Sequence, residues 1–231
     1  MKTPINLFIN KKAIDEVNSV RYLGILLDSK LTFKGHIDEI SKKVSRGIGV
    51  LYKLRPYVTT KTLINVYYAI IYPFLLYGVV IWGSTSKKLL EPIHIMQKKF
   101  VRLATFNDRF PHTHGPLVHS PPLFRRLKIL NIYDIFKLQL GNLVYDTIHN
   151  QGPLKNILRY QQVSNIHNYH TRQASQGNIY RDYVRTTQFG LKSLTTAGGI
   201  LWNSIPPDIK NSSSKYSFRK KIKYRLTENY N

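Results

Sequence analysis

The sequence predicts a mainly α-helical protein with a small N-terminal β hairpin, an α+β fold class. Two observations support this prediction. Residues before position 33 form short runs rich in branched and aromatic side chains, as strands do, whereas apolar residues after it recur every three or four positions, as on one face of a helix. Apolar residues make up 42% of the 231-residue chain, so a sizeable core is expected.

Two strands are expected near the N-terminus. The short apolar runs are residues 5–9 and 20–27, and the polar segment between them leaves room for a third strand near Ala13–Val17. Gly24 lies inside the second run, which predicts either a bulge or the close approach of another backbone. The N-terminal region should therefore form a small β hairpin.

Three helices are expected over residues 34–110. The first ends before Pro56, the second runs over 60–82 with a break near Pro73, and the third opens at Ser86. The apolar stripe of the first helix consists of Ile37, Ile40, Val44, Ile48 and Leu51. Such a stripe faces a core and leaves the other sides of the helix to polar residues.

Two more helices are expected in the C-terminal half. Four prolines and one glycine predict a linker over residues 107–122. Asn131 can cap the helix that follows, and Ser214 can cap the last one. Both helices combine apolar and polar faces.

Residues 160–213 are polar and irregular, with short strands expected within 178–186 and a turn at Gly198-Gly199. We therefore predict a helical bundle followed by an irregular, basic C-terminal region. The predicted domains are 1–33 (hairpin), 34–110 (helical region) and 111–231 (C-terminal region).

The charge balance points to a polyanionic partner. The chain has 35 Lys and Arg against 12 Asp and Glu, a formal net charge of +23. Residues 1–110 carry 18 basic and 7 acidic side chains, and residues 151–231 carry 13 and 3. Because the excess is spread over segments that look folded, it is typical of a body that lies along nucleic acid or an anionic membrane surface.

The chain contains no cysteine, which excludes disulfides and thiolate metal sites. Its first residues have no apolar core long enough for a signal peptide. An intracellular location, nuclear or cytoplasmic, is therefore expected.

Residues 63–82 carry no charge, and this stretch of 20 residues could span a bilayer. The alternative function is therefore a basic, membrane-associated protein anchored by residues 63–82. Against it stand Asn65, Pro73, Gly78 and four tyrosines in the middle of the stretch, because tyrosines of a membrane span gather at its two ends. We favour a buried helix and expect no membrane partner.

Acidic residues are scattered, and no aspartate pair has the strand–turn–strand context of a two-metal polymerase site. Glycine-rich phosphate loops and GxSxG are absent too. His112, His114 and His119 could bind zinc by their spacing, but they lie in a proline-rich, basic segment where solvent or phosphate contact is commoner. We expect no catalytic residue, metal site or cofactor in this chain, which argues against a third alternative, an autonomous nuclease or polymerase.

Aromatic residues alternate with basic ones in residues 52–57 and 216–224, which favours stacking on bases and contact with phosphates. The alternative for each single residue is that aromatics fill the core while Lys and Arg keep the surface soluble. The predicted nucleic-acid-binding side chains are Lys42, Lys43, Arg46, Lys53, Lys98, Lys99, Arg102, Arg219, Lys220 and Lys221.

A series of motifs also follows a recognisable order. They are Lys2-Thr3 with Leu7-Phe8, the YLG motif at Tyr22–Gly24 ending in Asp28, the LYG motif at Leu76–Gly78, the QKK motif at Gln97–Lys99 and the segment Leu201–Pro206. This order resembles the end of the palm, the thumb and the tail of non-LTR (LINE-type, jockey-like) retrotransposon reverse transcriptases.

The resemblance implies roles for several residues. Tyr22, Leu23 and Gly24 match the hairpin that grips the primer end in that family. Helices 36–54 and 60–82 match the thumb, which closes on the template–primer duplex. RNA or an RNA–DNA duplex is therefore the expected partner.

The resemblance also implies a departure from the family. Lys2 matches a lysine that approaches the departing pyrophosphate, but the metal-binding aspartates of the palm would precede Met1. We therefore expect a truncated or decayed RNA-directed DNA polymerase that binds nucleic acid and is inactive alone. A palm-containing polypeptide is a further candidate partner. Magnesium is expected only in an intact parent enzyme, and Lys2 has no expected catalytic role here.

Overall fold

The computed structural model describes residues 7–105, 119–149, 152, 154, 156–158, 160–166, 169, 171–186 and 190–230. Its strands are β1 (Leu7–Ile9), β2 (Lys12–Ile14), β3 (Ser19–Tyr22) and β4 (Ile25–Asp28). Its helices are α1 (Lys34–Leu54), α2 (Thr60–Ile70), α3 (Tyr72–Leu76), α4 (Val79–Trp82), α5 (Lys87–Ala104), α6 (Ser120–Leu127), α7 (Ile132–Ile148), α8 (Arg172–Ser175), α9 (Leu194–Ser204), α10 (Pro207–Lys210) and α11 (Lys215–Glu228). The predicted α+β class, mainly helical with an N-terminal hairpin, is confirmed.

The N-terminal region holds two hairpins, because β1 pairs antiparallel with β2 and β3 pairs antiparallel with β4. The second predicted strand, 20–27, is itself folded back at Leu23 and Gly24. Both residues have positive φ angles, 46° and 80°, as the two central residues of a tight hairpin turn require. The bulge predicted at Gly24 was therefore wrong: glycine serves the turn here.

The helical body is built around α1, which packs against α5 and α2. The predicted stripe of α1 is buried along its whole length. Its side chains meet those of the helices that follow in one hydrophobic cluster that extends to Tyr230 in the C-terminal segment. Burial of these stripes stabilises the body by removing apolar surface from water.

The uncharged stretch 63–82 is divided among α2, α3 and α4. The first break is at Ile71, just before Pro73. Proline has no backbone N–H and so cannot donate the next hydrogen bond of a continuing helix. The second break is at Gly78, which has a φ of +62°. Within the described residues, no helix has both the length and the apolar character needed to cross a membrane. The buried side chains of the stretch are Leu63, Tyr67, Ile71, Leu75, Val79 and Trp82.

The helices predicted at Asn131 and Ser214 are confirmed, since these side chains accept hydrogen bonds from the amides of Asp134 and Ser217. Part of the predicted linker, residues 107–118, lies outside the described residues. Its end was predicted wrongly, because residues 120–122 form the first turn of α6, where prolines are well tolerated.

The turn predicted at Gly198-Gly199 was wrong, because both glycines lie inside α9. A side chain at Gly198 would clash with the Tyr160 hydroxyl and come within 2.8 Å of Val144 Cγ2 on α7. The glycine therefore permits a close approach of α9 to its neighbours. The strands predicted within 178–186 reduce to a single bridge between Gln162 and Ile179 among the described residues. The three-part domain division stays a prediction.

Candidate nucleic-acid interface

The short helix α3 is where several predicted binding residues meet. The Lys43 ammonium on α1 lies 5.4 Å from the centroid of the Phe74 ring. Burial raises the pKa of Tyr72 at the start of α3, and the nearby positive charge of Arg219 on α11 partly offsets this. Tyr77, just after α3, donates a hydrogen bond of 2.5 Å to the Leu23 carbonyl. We call this meeting point the α3 junction.

The YLG hairpin enters the α3 junction with an exposed tip, since Tyr22 is 64% and Leu23 72% exposed. The tip is held from two sides. Tyr77 bonds to the Leu23 carbonyl, and the Arg21 guanidinium contacts the Gly24 carbonyl at 3.3 Å and Glu39 at 2.6 Å. The bond between Tyr77 and Leu23 joins residues 54 positions apart in the sequence. The YLG and LYG motifs thus form one structural unit.

Gly78 of the LYG motif is required at this contact for two reasons. Its φ of +62° is rarely adopted by other residues, and a Cβ there would lie 2.5 Å from Ile25 Cδ1. The Trp82 indole donates to the Tyr77 carbonyl at 2.9 Å and fixes the same turn. The hairpin tip is therefore held against a defined turn after α3.

Asp28, at the end of the YLG motif, closes the loop that leads into α1. Its carboxylate accepts bonds from the amides of Lys30, Thr32 and Phe33 and from the Thr32 hydroxyl. Partial burial alone would raise the pKa of Asp28, but these hydrogen bonds outweigh it and hold the pKa below its usual value. The position of this acid is explained by its structural role in the loop.

The basic residues of α1 form an open face beside α3. Lys42, Lys43 and Arg46 are exposed, and Lys43 and Arg46 border a groove of about 420 Å3 between α1 and the α2–α3 break. The floor of the groove is apolar and includes Val50 and Phe74. Basic side chains around an apolar, partly aromatic floor suit a ligand with both phosphates and flat apolar rings.

Lys53, in the last turn of α1, is also exposed, as are the aromatic rings of Tyr52 and Tyr57. Arg55, which belongs to the same aromatic–basic segment, has a structural role. Its Nε donates to the Leu103 carbonyl at 3.1 Å and ties the end of α1 to α5. The helical period therefore divides this segment between surface and packing contacts.

The segment 216–224 is divided in the same way by α11. Phe218 is buried in the core, whereas Tyr216, Arg219, Lys220 and Tyr224 are exposed. Lys221 is exposed as well, with its ammonium bonded to the Asp208 carbonyl at 3.0 Å. Of this group, Arg219 is the one linked electrostatically to the α3 junction.

Lys223, not predicted, is half-buried on α11. Burial, together with the charge of Arg219, lowers the pKa of Lys223. Its i, i+4 spacing from Arg219 was the available signal that both share one side of the helix. This side faces α3.

Gln97, at the start of the QKK motif, is buried and joins three elements. Its amide group donates to the Tyr67 hydroxyl (2.9 Å) and the Leu130 carbonyl (3.2 Å), and its oxygen accepts from the Ile132 amide (2.7 Å). The glutamine thus fixes α5 against α2 and the start of α7. Its role is structural.

The basic residues of the QKK region do not share one surface. Lys99 is exposed, whereas Lys98 and Arg102 are partly buried and line a cavity on the α6 side of α5. Lys98 lies 3.4 Å from Glu91. The three residues predicted to bind nucleic acid here are therefore divided between an open surface and a cavity.

Some predicted sites lie outside the described residues, namely Lys2, His112 and His114. His119 is exposed at the start of α6. In the part of the chain that is described, no three His, Asp or Glu side chains are grouped so as to hold a metal ion.

Two buried polar residues were not singled out in the sequence. His36 receives a bond from the Leu26 amide at 3.4 Å and lies edge-on to Trp82, and burial lowers its pKa. Lys210 donates to the Asn178 side chain at 2.6 Å, and burial lowers its pKa to about 8. Both connect separate segments, and no local pattern marks them.

Comparison with known proteins places the chain near polymerases of mobile elements. It is 29% identical over 136 residues to the probable RNA-directed DNA polymerase from transposon X-element of Drosophila melanogaster, which covers 58% of this chain and 14% of that protein. It is 36% identical over 98 residues to the RNA-directed DNA polymerase from mobile element jockey of the same species, covering 41% and 11%. A third relative, from transposon BS, is 32% identical over 95 residues, covering 40% and 10%.

These matches span only about a tenth to a seventh of the length of the relatives. No protein-family model and no solved structure matches the chain. The chain is thus similar, over roughly half of its length, to RNA-directed DNA polymerases of Drosophila retrotransposons.

Proposed function

We propose that this chain is the duplex-binding, thumb-like part of a non-LTR retrotransposon reverse transcriptase and does not polymerise by itself. The observation that carries the proposal is the α3 junction, where Tyr77 joins the YLG hairpin to a helix flanked by the basic side chains of Lys43 and Arg219. The similarity to RNA-directed DNA polymerases adds the kind of nucleic acid, an RNA–DNA duplex.

The chemistry of the junction suits a duplex end. Lys42, Lys43 and Arg46 would contact successive phosphates, and each contact releases condensed counterions, so binding should weaken steeply with salt. The exposed Tyr22 and Leu23 would pack against the terminal base pair or sugar. The hydrogen bond from Tyr77 lowers the entropic cost of holding the tip in place.

Polymerisation would require a second polypeptide or segment that supplies the metal-binding aspartates. The β1–β2 hairpin supports such a partner, because its apolar side chains lie on the surface rather than in the core. The exposed residues are Leu7, Phe8, Ile9 and Ile14. Strands with open edges and apolar faces are suited to extending another sheet, and we propose that this sheet belongs to a palm.

A fluorescence-anisotropy titration with a labelled RNA–DNA duplex tests the proposal. The variant K42Q/K43Q/R46Q removes three charges beside α3, and we expect the slope of log K against log salt to become shallower by about 2 to 3. The matched control K61Q/K87Q/K88Q removes three exposed charges elsewhere. It should change the slope far less.

Equal effects of the two triple variants would mean that only the net charge matters, and the proposed interface would be wrong. Absence of duplex binding by the parent chain at low salt would exclude the function itself. A duplex of the same sequence made of DNA alone shows whether the RNA strand is preferred.

A further inference from the structure

A cavity of about 380 Å3 opens where α5 meets α6 and the start of α7. His94, Lys98 and Arg102 line it from α5, and His119 and Ser120 line it from the start of α6. The three α5 residues are four positions apart, so they lie on one side of that helix. An ammonium, a guanidinium and two imidazoles therefore border one space.

Two of these residues have buried nitrogen atoms without a partner. Arg102 Nε and His94 Nδ1 are both buried, and no hydrogen bond reaches either atom within the described part of the chain. Buried polar atoms nearly always have a partner, so these two nitrogens mark a place beside the cavity where the described chain leaves hydrogen-bonding capacity unused. The Arg102 Nε–H can only donate, so a partner for it must offer an acceptor atom.

The His94 ring is already fixed in place. It lies between Phe124, at a centroid distance of 5.9 Å, and Tyr133, at 5.1 Å. Burial lowers the pKa of His94, the charge of Lys98 lowers it further, and Glu91 and Asp134 partly offset this. The imidazole therefore has an ordered position from which it can respond to a new charge.

The surroundings favour an anion. The described lining of the cavity contains no carboxylate. The nearest acids already have partners, since Glu91 accepts from the Tyr133 hydroxyl at 2.8 Å and Asp134 accepts from the Tyr230 hydroxyl at 2.7 Å. Glu91 also lies 3.4 Å from Lys98, so a bound anion would share the Lys98 ammonium with this carboxylate.

We propose that this cavity binds a single phosphoryl group, held by Lys98, Arg102, His94 and His119. A phosphoryl group offers several acceptor oxygens and negative charge, which matches a guanidinium, an ammonium and two ring nitrogens. The group can belong to a nucleic-acid backbone or to a free phosphate. Only the nucleic-acid source rests on the proposed function.

The test is a titration of the full chain with inorganic phosphate at constant ionic strength, followed by NMR of the histidine side chains. The variant H94Q assigns the His94 signal. We expect a saturable shift of that signal and a rise in the pKa of His94. R102Q and K98Q should each weaken phosphate binding about tenfold or more, as expected for a bond to a charged group. K99Q, an exposed neighbour outside the cavity, should leave it unchanged.

The outcomes separate the sources. A shift of His94 by the RNA–DNA duplex as well as by phosphate identifies a backbone phosphate, and a shift by phosphate alone identifies a free phosphorylated ligand. A shift that stays linear in phosphate, or that is the same in K98Q and K99Q, overturns the proposal. Thermal unfolding of each variant shows whether it is folded. If R102Q does not fold, the phosphate affinity of K98Q decides the test.

Duplex binding through Lys42, Lys43 and Arg46 is measured independently. If that binding is present and His94 does not respond, the cavity inference fails while the proposed function stands. If the His94 signal shifts saturably with phosphate and the chain does not bind the duplex, the proposed function fails while the cavity inference stands.

Discussion

The helices α1 and α5 share one sequence plan but present their charges differently. Each has a buried apolar stripe, and the two helices pack on each other. On α1, Lys43 and Arg46 border an open groove beside α3. On α5, Lys98 and Arg102 line a cavity closed by α6 and the start of α7.

The difference shows that neighbouring elements, rather than charge spacing, decide what a basic helix face can bind. An open face acts mainly through long-range attraction and is weakened by salt. A cavity acts through directed hydrogen bonds in a poorly solvated space, where geometry matters more. The following substitutions break or sharpen this contrast.

The largest effect should come from Ile48→Asp, because unfolding of the shared core would disrupt the basic faces of both α1 and α5. Ile48 is buried in the stripe of α1, so the substitution places an unpaired charge in the shared core. We expect a loss of stability above about 4 kcal/mol, enough to unfold the chain. Circular dichroism measures the loss of helix. Val50→Asp, two residues away and exposed, should melt like the parent.

Gln97→Ala should act on the α5 side. It leaves the Ile132 amide and the Leu130 carbonyl without their side-chain partner, at a cost of about 2 to 4 kcal/mol. Chemical denaturation measures the free energy of unfolding, with Gln139→Ala as the partly exposed control. If phosphate binding by the cavity is unchanged in this variant, α5 and α7 do not depend on Gln97 for their relative position.

Asp28→Asn should act on the α1 side by about 1 to 2 kcal/mol at neutral pH, because the amide cannot accept all of the hydrogen bonds at this loop. Since the pKa of Asp28 is lowered on folding, its charge stabilises the fold above the ordinary value of 3.8. This contribution is lost as the pH falls through the lower, folded pKa. The difference in the free energy of unfolding between the parent and Asp28→Asn should therefore become smaller below about pH 4. The exposed control Asp38→Asn should show no such difference from the parent.

The smallest effect should come from Tyr77→Phe, which deletes the bond to Leu23 and costs about 1 kcal/mol. Hydrogen exchange at the amides of the YLG turn should become faster while the core helices are unchanged. Duplex affinity should fall more than stability, since the tip loses its support. Tyr57→Phe, at an 84% exposed position, is the control.

Local signals predicted much of this fold. The stripe of α1 and the caps at Asn131 and Ser214 depend on residues within one or two turns, and the structure confirms them. The failures at Gly24 and Gly198 share one cause. A glycine in the sequence indicates backbone conformational freedom and the absence of a side chain. Only the fold decides whether a turn or a close contact depends on that property.

The candidate site was predictable only in part. The four-residue spacing of His94, Lys98 and Arg102 was visible along the chain, yet the approach of His119 from α6 depends on tertiary packing. In the same way, no local sequence pattern could predict the hydrogen bond between Tyr77 and Leu23. Contacts between distant segments are fixed by the shared core.

The short β1–β2 ribbon has a practical consequence for handling this protein. It has only three residue pairs, and the apolar rings and branches on it face water. A ribbon of that size is marginal alone, and its unsatisfied edges can recruit identical strands from other molecules. Concentrated samples should therefore self-associate through this ribbon while the helices are still intact, and a lysine in place of Phe8 should delay precipitation.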